Sequence, residues 1–255
     1  MPAKLAHVVS YLDELLKPPP GCQDASNNGL QVDGGAADVT RVVFGVDASL
    51  ALFAAAQKRG AQLVVVHHGL SWRDQFKRLR GLTARRLETL FTNGISLYAS
   101  HLPLDAHPEV GHNAQLAIML KLADSAPFFE YGNIPIGRIG TLPQPPTPAK
   151  LATQVNQLLG TECVLYPGRA KTIKKIGIVS GGGGDCAEAA AELGCDAILT
   201  GEITHAHWHL LKETGITGIA AGHYATETPG LKAVMQRLQR DRKVACEWVD
   251  LPTGL

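Results

Sequence analysis

Apolar residues recur at three- and four-residue spacing over residues 5–16, the period of one helical face. Pro18-Pro19-Pro20-Gly21 stops that helix, because consecutive prolines cannot continue its hydrogen-bond ladder. A polar loop, Asp24-Ala25-Ser26-Asn27-Asn28-Gly29, leads into Leu30-Gln31-Val32. Beyond it, short fully apolar runs alternate with longer amphipathic ones. Residues 42–46, 63–66 and 95–99 read as buried strands, and 50–58, 83–92 and 113–122 as helices. Strands apolar at every position, each followed by a helix, imply a mostly parallel sheet covered on both faces. The pattern pauses near Ala126, and a Pro-rich connection runs from Pro143 to Pro148. A second alternation then places helices at 149–159, 187–193, 203–213 and 231–238, with strands at 176–179, 197–199, 216–220 and 244–249. The fold class is therefore α/β in two lobes, with similar element order and no close sequence repeat.

Composition narrows the classes. The 255 residues are 45% hydrophobic and 18% charged, enough for folded cores and too apolar for a disordered chain. The net charge is +1 and no Lys/Arg run stands out, so nucleic acid is disfavoured as a partner. No apolar run reaches the length of a membrane span, and the first residues lack the apolar core of a signal peptide. The five cysteines (Cys22, Cys163, Cys186, Cys195, Cys246) are odd in number and scattered, with no C-x-x-C pair. That pattern predicts a reducing cytoplasm and speaks against both a disulfide framework and a thiolate zinc site.

The candidate chemistry lies just past three strand ends. His67-His68 follows the apolar run 63–66, His101-Leu102-Pro103-Leu104-Asp105 follows 95–99, and His223-Tyr224-Ala225-Thr226-Glu227 follows 216–220. The carboxyl edge of a parallel sheet is where ligands bind in open α/β folds. Imidazole nitrogen and carboxylate oxygen together suit Zn, Mn, Fe, Co or Ni. Adjacent histidines leave a strand in different directions, so two ions, each taking one histidine, suit the pair better than one. A carboxylate can bridge such ions, and five or six ligands fit a pair ~3.5–4 Å apart. Thr228 is expected to cap the next helix with Pro229 at its first position, holding Glu227 at the positive helix end.

Other signals weigh less. Gly181-Gly182-Gly183-Gly184-Asp185 lacks the Lys-Ser/Thr of a phosphate-binding P-loop and reads better as a tight strand-to-helix turn. His205 and His209 are four apart on an expected helix, a rival metal pair, but Ala206 stands where a zinc protease has glutamate. Glu202 and His205 are expected to line a cleft between the lobes, and His107 and His112 to serve loop roles.

At these residues the chain resembles the dinuclear-metal NGG-interacting-factor-three-like family, many of whose members are labelled GTP cyclohydrolase 1 type 2 homologues. Asn28-Gly29-Leu30-Gln31-Val32, Val66-His67-His68-Gly69, His101 through Pro108, and Ala221-Gly222-His223 through Thr226-Glu227 carry the likeness, with Thr200-Gly201-Glu202 a weaker fifth stretch. Residues 126–149 leave no room for the extra domain of the family's long members, so the likeness is to the short bacterial form. The resemblance implies two similar three-layer α/β/α lobes, one formed by residues 1–126 and 215–255 and the other by 127–214. It implies two divalent ions per subunit, His67 and Asp105 binding one, His68 and His223 the other, with Glu227 bridging. His101 matches a position close to the metals and is expected to act as a ligand or a proton shuttle. The resemblance also implies a homo-hexameric toroid, so light scattering should give a particle several times the 27.1 kDa chain mass; a clean monomer across a wide concentration range would refute this.

Two functions are expected on these grounds. One is a metal-dependent hydrolase acting on a small molecule; for GTP, water would attack C8 and open the purine imidazole ring. The other is a non-catalytic metal-binding ring that serves as a regulatory or protein-interaction module. A third reading, a DNA-associated ring, requires basic residues such as Arg73, Lys77, Arg78 and Arg80 to gather around a pore.

Overall fold

The computed structural model describes residues 2–73 and 78–255, so Lys77 lies outside the described residues; Arg73, Arg78 and Arg80 are exposed. The chain divides into two compact units, Met1–Leu104 with Leu231–Leu251, and Asp105–Gly230 with Pro252–Leu255.

The first unit holds a five-stranded sheet in the order Ala245–Trp248, Arg41–Phe44, Leu63–Val66, Ser96–Ala99, Gly29–Val32. The first four strands are parallel, and Gly29–Val32 runs antiparallel at the edge. Val43, Val64, Val66, Leu97 and Ala99 join one apolar cluster with Leu52, Phe53 and Ala56 of helix Leu50–Lys58 and Leu90 of helix Gly81–Thr92. Tyr98, one residue from both Leu97 and Ala99, faces the other way and donates to Asp13 Oδ1 of helix Leu5–Leu15 at 3.0 Å. Burial on both faces is why these strands read as unbroken apolar runs. Phe44 and Phe53 are fully buried, and each contributes roughly 2–3 kcal/mol by leaving water. The helix Leu50–Lys58 starts where Ser49 accepts the Leu52 N–H.

The second unit holds a six-stranded sheet in the order Ala123–Tyr131, Ile134–Thr141, Lys175–Val179, Ala197–Thr200, Thr217–Ala220, Val164–Tyr166. Lys175–Val179, Ala197–Thr200 and Thr217–Ala220 pair in parallel, and the other pairings in the sheet are antiparallel. This sheet is mixed, where the alternation predicted a mostly parallel one. The pause near Ala126 is a β-hairpin. Gly132 and Asn133 form its two-residue loop with φ of 58° and 62°, the double positive φ such turns require. The first hairpin strand is mostly exposed, with only Phe128 buried, so it carries little apolar signal. Helices His112–Met119 and Pro148–Leu159 supply Leu116, Ala117, Leu151 and Val155 to a cluster with Ile176, Ile178, Leu199 and Ile219. Thr147 caps the second of these helices, with proline in its first turn, and Gly160 ends it at φ 65°.

These contacts draw the unit boundaries differently from the expected 126 and 215. Residues 105–126 belong to the second unit because helix His112–Met119 joins its core, and 215–230 do so because Thr217–Ala220 pairs with Ala197–Thr200. The last helix and strand do belong with the first unit, from Leu231 onward. Among the described residues no helix is long and apolar enough to cross a membrane.

Candidate metal centre

In the first unit, three neighbouring parallel strands end on polar side chains. Asp47 follows Arg41–Phe44, His67 and His68 follow Leu63–Val66, and His101 follows Ser96–Ala99. The Val46 carbonyl accepts the N–H groups of both His67 (3.0 Å) and His68 (2.9 Å). His67, His68 and His101 each bring one ring nitrogen within 4.8 Å of the others. His67 is fully buried and the other two are half-buried.

The Nδ1 atoms of all three rings face oxygen. His67 Nδ1 lies 2.8 Å from the Ser100 carbonyl, His68 Nδ1 2.8 Å from Asp47 Oδ1, and His101 Nδ1 2.8 Å from Asp24 Oδ1. A carbonyl or an ionised carboxylate can only accept, so each Nδ1 is the N–H donor and Nε2 carries the lone pair in the neutral ring. Histidines that ligate metals are oriented in this way. The Asn28–Val32 stretch supports them. Asn28 Oδ1 accepts the His101 N–H at 2.7 Å, and Gln31 Oε1 accepts the N–H groups of Leu70 (2.7 Å) and Ser71 (3.0 Å). A β-carbon at Gly69 would collide with the Gln31 amide, which accounts for glycine after His68.

In the second unit, His223 and Glu227 sit one helical turn apart, with His223 Nε2 3.0 Å from Glu227 Oε1. Ligands of one first-row ion at ~2.0–2.2 Å stand about 3.0–3.5 Å apart, so this pair has the spacing of two donors on one ion. His223 Nδ1 meets Glu202 Oε1 at 2.5 Å, so Nε2 is the nitrogen that faces Glu227. Asp105 is buried, and its Oδ1 accepts from Ser180 Oγ at 3.0 Å. Ser180 is held in turn by Asn113, whose Oδ1 accepts the Ser180 N–H at 2.7 Å. His112, expected in a loop, opens the helix His112–Met119, is fully buried, and has a donor atom within 4.8 Å of one of Asp105. Its polarity is reversed: Nδ1 accepts the Gly230 N–H at 3.1 Å, so Nε2 bears the hydrogen and the neutral ring does not suit metal.

The remaining expectations resolve individually. Gly181 and Gly182 make the bend between strand Lys175–Val179 and a short 3-10 helix, Gly183–Cys186; the Gly181 N–H bonds Thr226 Oγ1 at 3.0 Å, and its carbonyl accepts the Glu202 N–H at 2.9 Å. The helix expected over 203–213 is His207–Thr214, so His205 lies outside it and does not share a helical face with His209. His205 and His209 are exposed and join no metal-capable group among the described residues. His207 binds Asp185 Oδ1 at 3.0 Å, and His107 Nδ1 accepts the N–H groups of Glu109 and Val110, the expected loop role. Glu202 pairs with His223 rather than with His205. Thr228 is no N-cap, since its hydroxyl donates to the Ala225 carbonyl at 3.2 Å and the residue is already helical.

The hydrogen bond to Glu227 raises the His223 pKa to about 9, against the opposing effect of burial, and Glu202 adds to the rise. A raised value means protonated His223 contributes stability below its ordinary pKa of 6.5, and this is lost as pH climbs through about 9. Metal must displace that proton. In chelator-stripped protein, apparent affinity should rise about tenfold per pH unit below 9 and level off above it, with proton release on titration. A pH-independent affinity between 6.5 and 8.5 would contradict this assignment of His223.

The chain has relatives among known proteins. Residues 3–252 match the Duf34/NIF3 (NGG1p interacting factor 3) family. A Pyrococcus horikoshii protein named GTP cyclohydrolase 1 type 2 homolog is 43% identical, with 97% of this chain and 98% of that one covered. The solved structure of TTHA1606 from Thermus thermophilus superposes with a TM-score of 0.90 at 38% identity, covering 99% of this chain and 100% of that one. That of ybgI, described as of unknown function, gives 0.91 at 35% identity, with the same coverage. Matched along almost its whole length, the chain is a member of the Duf34/NIF3 family.

Proposed function

We propose that this chain is a dinuclear-metal-dependent hydrolase in which His67 and Asp105 hold one divalent ion, His68 and His223 the other, and Glu227 bridges them. The observation that carries the reading is the uniform polarity of His67, His68, His101 and His223. All four have Nδ1 against an oxygen acceptor, so in the neutral ring Nε2 is the nitrogen that would ligate a metal; at His223 the metal would replace the proton that Nε2 shares with Glu227. The donor set is imidazole and carboxylate without thiolate, which suits Zn, Mn, Fe, Co or Ni. Ions so held would act as Lewis acids and supply a water-derived nucleophile near neutral pH.

The chain's own residues do the rest. Ser180 fixes one Asp105 oxygen, while Asp47 and Glu202 aim His68 and His223. His101, with a ring nitrogen in the same group as His67 and His68, would bind an ion or pass a proton to a leaving group. The name of the Pyrococcus horikoshii relative points to a purine nucleotide as substrate, with hydrolytic opening of the imidazole ring.

The test combines stoichiometry with turnover. Protein reconstituted with Zn or Mn should carry close to two ions per chain by elemental analysis, and a screen of nucleotides and cyclic amides should reveal metal-dependent hydrolysis. Retention of no metal after reconstitution would end the reading.

A further inference from the structure

The polar loop before the first edge strand holds a carboxylate that the proposed hydrolase does not by itself require. Asp24 has a side chain only 5% exposed. Its Oδ1 accepts from His101 Nδ1 (2.8 Å) and the Ser26 N–H (2.9 Å), and its Oδ2 from the Leu102 N–H (2.9 Å) and Asn28 Nδ2 (2.9 Å). Four donors thus converge on two oxygens, filling a carboxylate's capacity. Asn28 also accepts the His101 backbone N–H, so the loop grips His101 by ring and by main chain. The Trp72 ring stands nearly perpendicular to the imidazole, with centroids 5.0 Å apart.

We propose that Asp24 is the positioning residue of His101: it fixes the ring as the Nδ1–H form and commits Nε2 to the group shared with His67 and His68. The inference rests on the metal-centre reading above. Asp47 holds His68 with the same geometry, but its side chain is 44% exposed, so water can take its place. The Asp24 side chain is almost wholly covered, so solvent replaces it far less readily.

The near-isosteric Asp24→Asn separates orientation from packing. At the Oδ2 position an NH2 would face the Leu102 N–H and the Asn28 NH2, which the His101 N–H holds in place through Asn28 Oδ1; at the Oδ1 position it would face one fixed donor, the Ser26 N–H, and a ring nitrogen able to become an acceptor, so the NH2 turns to His101 Nδ1. An imidazole can answer by moving its proton to Nε2, the misplaced tautomer that a carboxylate-to-amide change produces beside a catalytic histidine. Long-range 1H–15N correlation spectra of chelator-stripped protein, at a pH where the ring is neutral, should show Nδ1–H in the wild type and Nε2–H in Asp24→Asn. Competition with a chromophoric chelator should show Zn affinity falling about 10–100-fold, with a smaller loss in Asp47→Asn.

The spectrum of the unsubstituted protein tests the proposal even if the variant fails to fold: an Nε2–H ring there would overturn it. An unchanged ring in Asp24→Asn, with or without lost affinity, would reduce Asp24 to a loop-packing residue. An inverted ring with unchanged affinity would also overturn the proposal, because Nε2 would not be committed to metal. Failure of the unsubstituted protein to take up Zn would end the hydrolase reading instead, while the spectra still decided what holds His101.

Discussion

Glu227→Ala and His68→Ala proteins should emerge folded, stripped of metal and inactive. Neither side chain belongs to the apolar clusters that hold the two sheets, so the cost in stability should stay within the few kcal/mol typical of losing a buried polar contact. Function should suffer far more. On the proposed hydrolase reading, losing the ions would remove the source of the nucleophile rather than one contact among many, so hydrolysis should fall by orders of magnitude. Circular dichroism, elemental analysis and rate measurement on one preparation check the three parts together. His101→Ala should separate two roles, keeping most of the metal but losing turnover as a proton shuttle, or losing one ion as a ligand. His205→Ala and His209→Ala are the controls, since both residues are exposed and outside every metal-capable group among the described residues. Metal lost from these two but retained by His68→Ala would refute the site.

The second large effect is expected from a residue with no side chain. A β-carbon at Gly181 would fall on Glu227 Oε1, far inside van der Waals contact, and 3.1 Å from His223 Nε2. Gly181 also sits at φ 63°, where an L side chain costs roughly 1–2 kcal/mol. Gly181→Ala should therefore push the Glu227 carboxylate away from His223 and weaken metal binding by about a hundredfold or more, approaching the loss of a ligand. Gly184→Ala is the informative partner. Its new β-carbon would strike the His207 ring, which takes no part in the centre. It should lower thermal stability while leaving metal content near two ions per chain. If both variants kept full metal content, the close approach at Gly181 would be irrelevant to the centre.

Much of this centre was legible because strand ends announce themselves. Unbroken apolar runs such as Leu63–Val66 end at a definite residue, and the residues after it must leave the sheet, so His67 and His68 could be placed from the sequence alone. Asp47 stands in the same relation to Arg41–Phe44, and the same rule would have found it. Asp24 could not be found in this way. It lies in an irregular loop and reaches His101 across 77 residues of sequence, a distance no local periodicity spans. The hairpin Ala123–Tyr131 and Ile134–Thr141 escaped for another reason. An edge strand buried at Phe128 alone has almost no apolar pattern, and the Gly132-Asn133 dipeptide was its only strong signal. The unit boundaries were misplaced because Thr217–Ala220 looks the same whichever sheet it joins, and partner choice is decided by register with Ala197–Thr200.

The shared Val46 carbonyl has a mechanical consequence. Because one oxygen holds the N–H groups of both His67 and His68, the backbone of this pair is pinned at a single point. A fluctuation of that strand end carries both imidazoles along in the same direction, as two oars move with one boat. Their mutual separation is thus better protected than the position of either, and two ions seated on them would drift in step with little change in spacing.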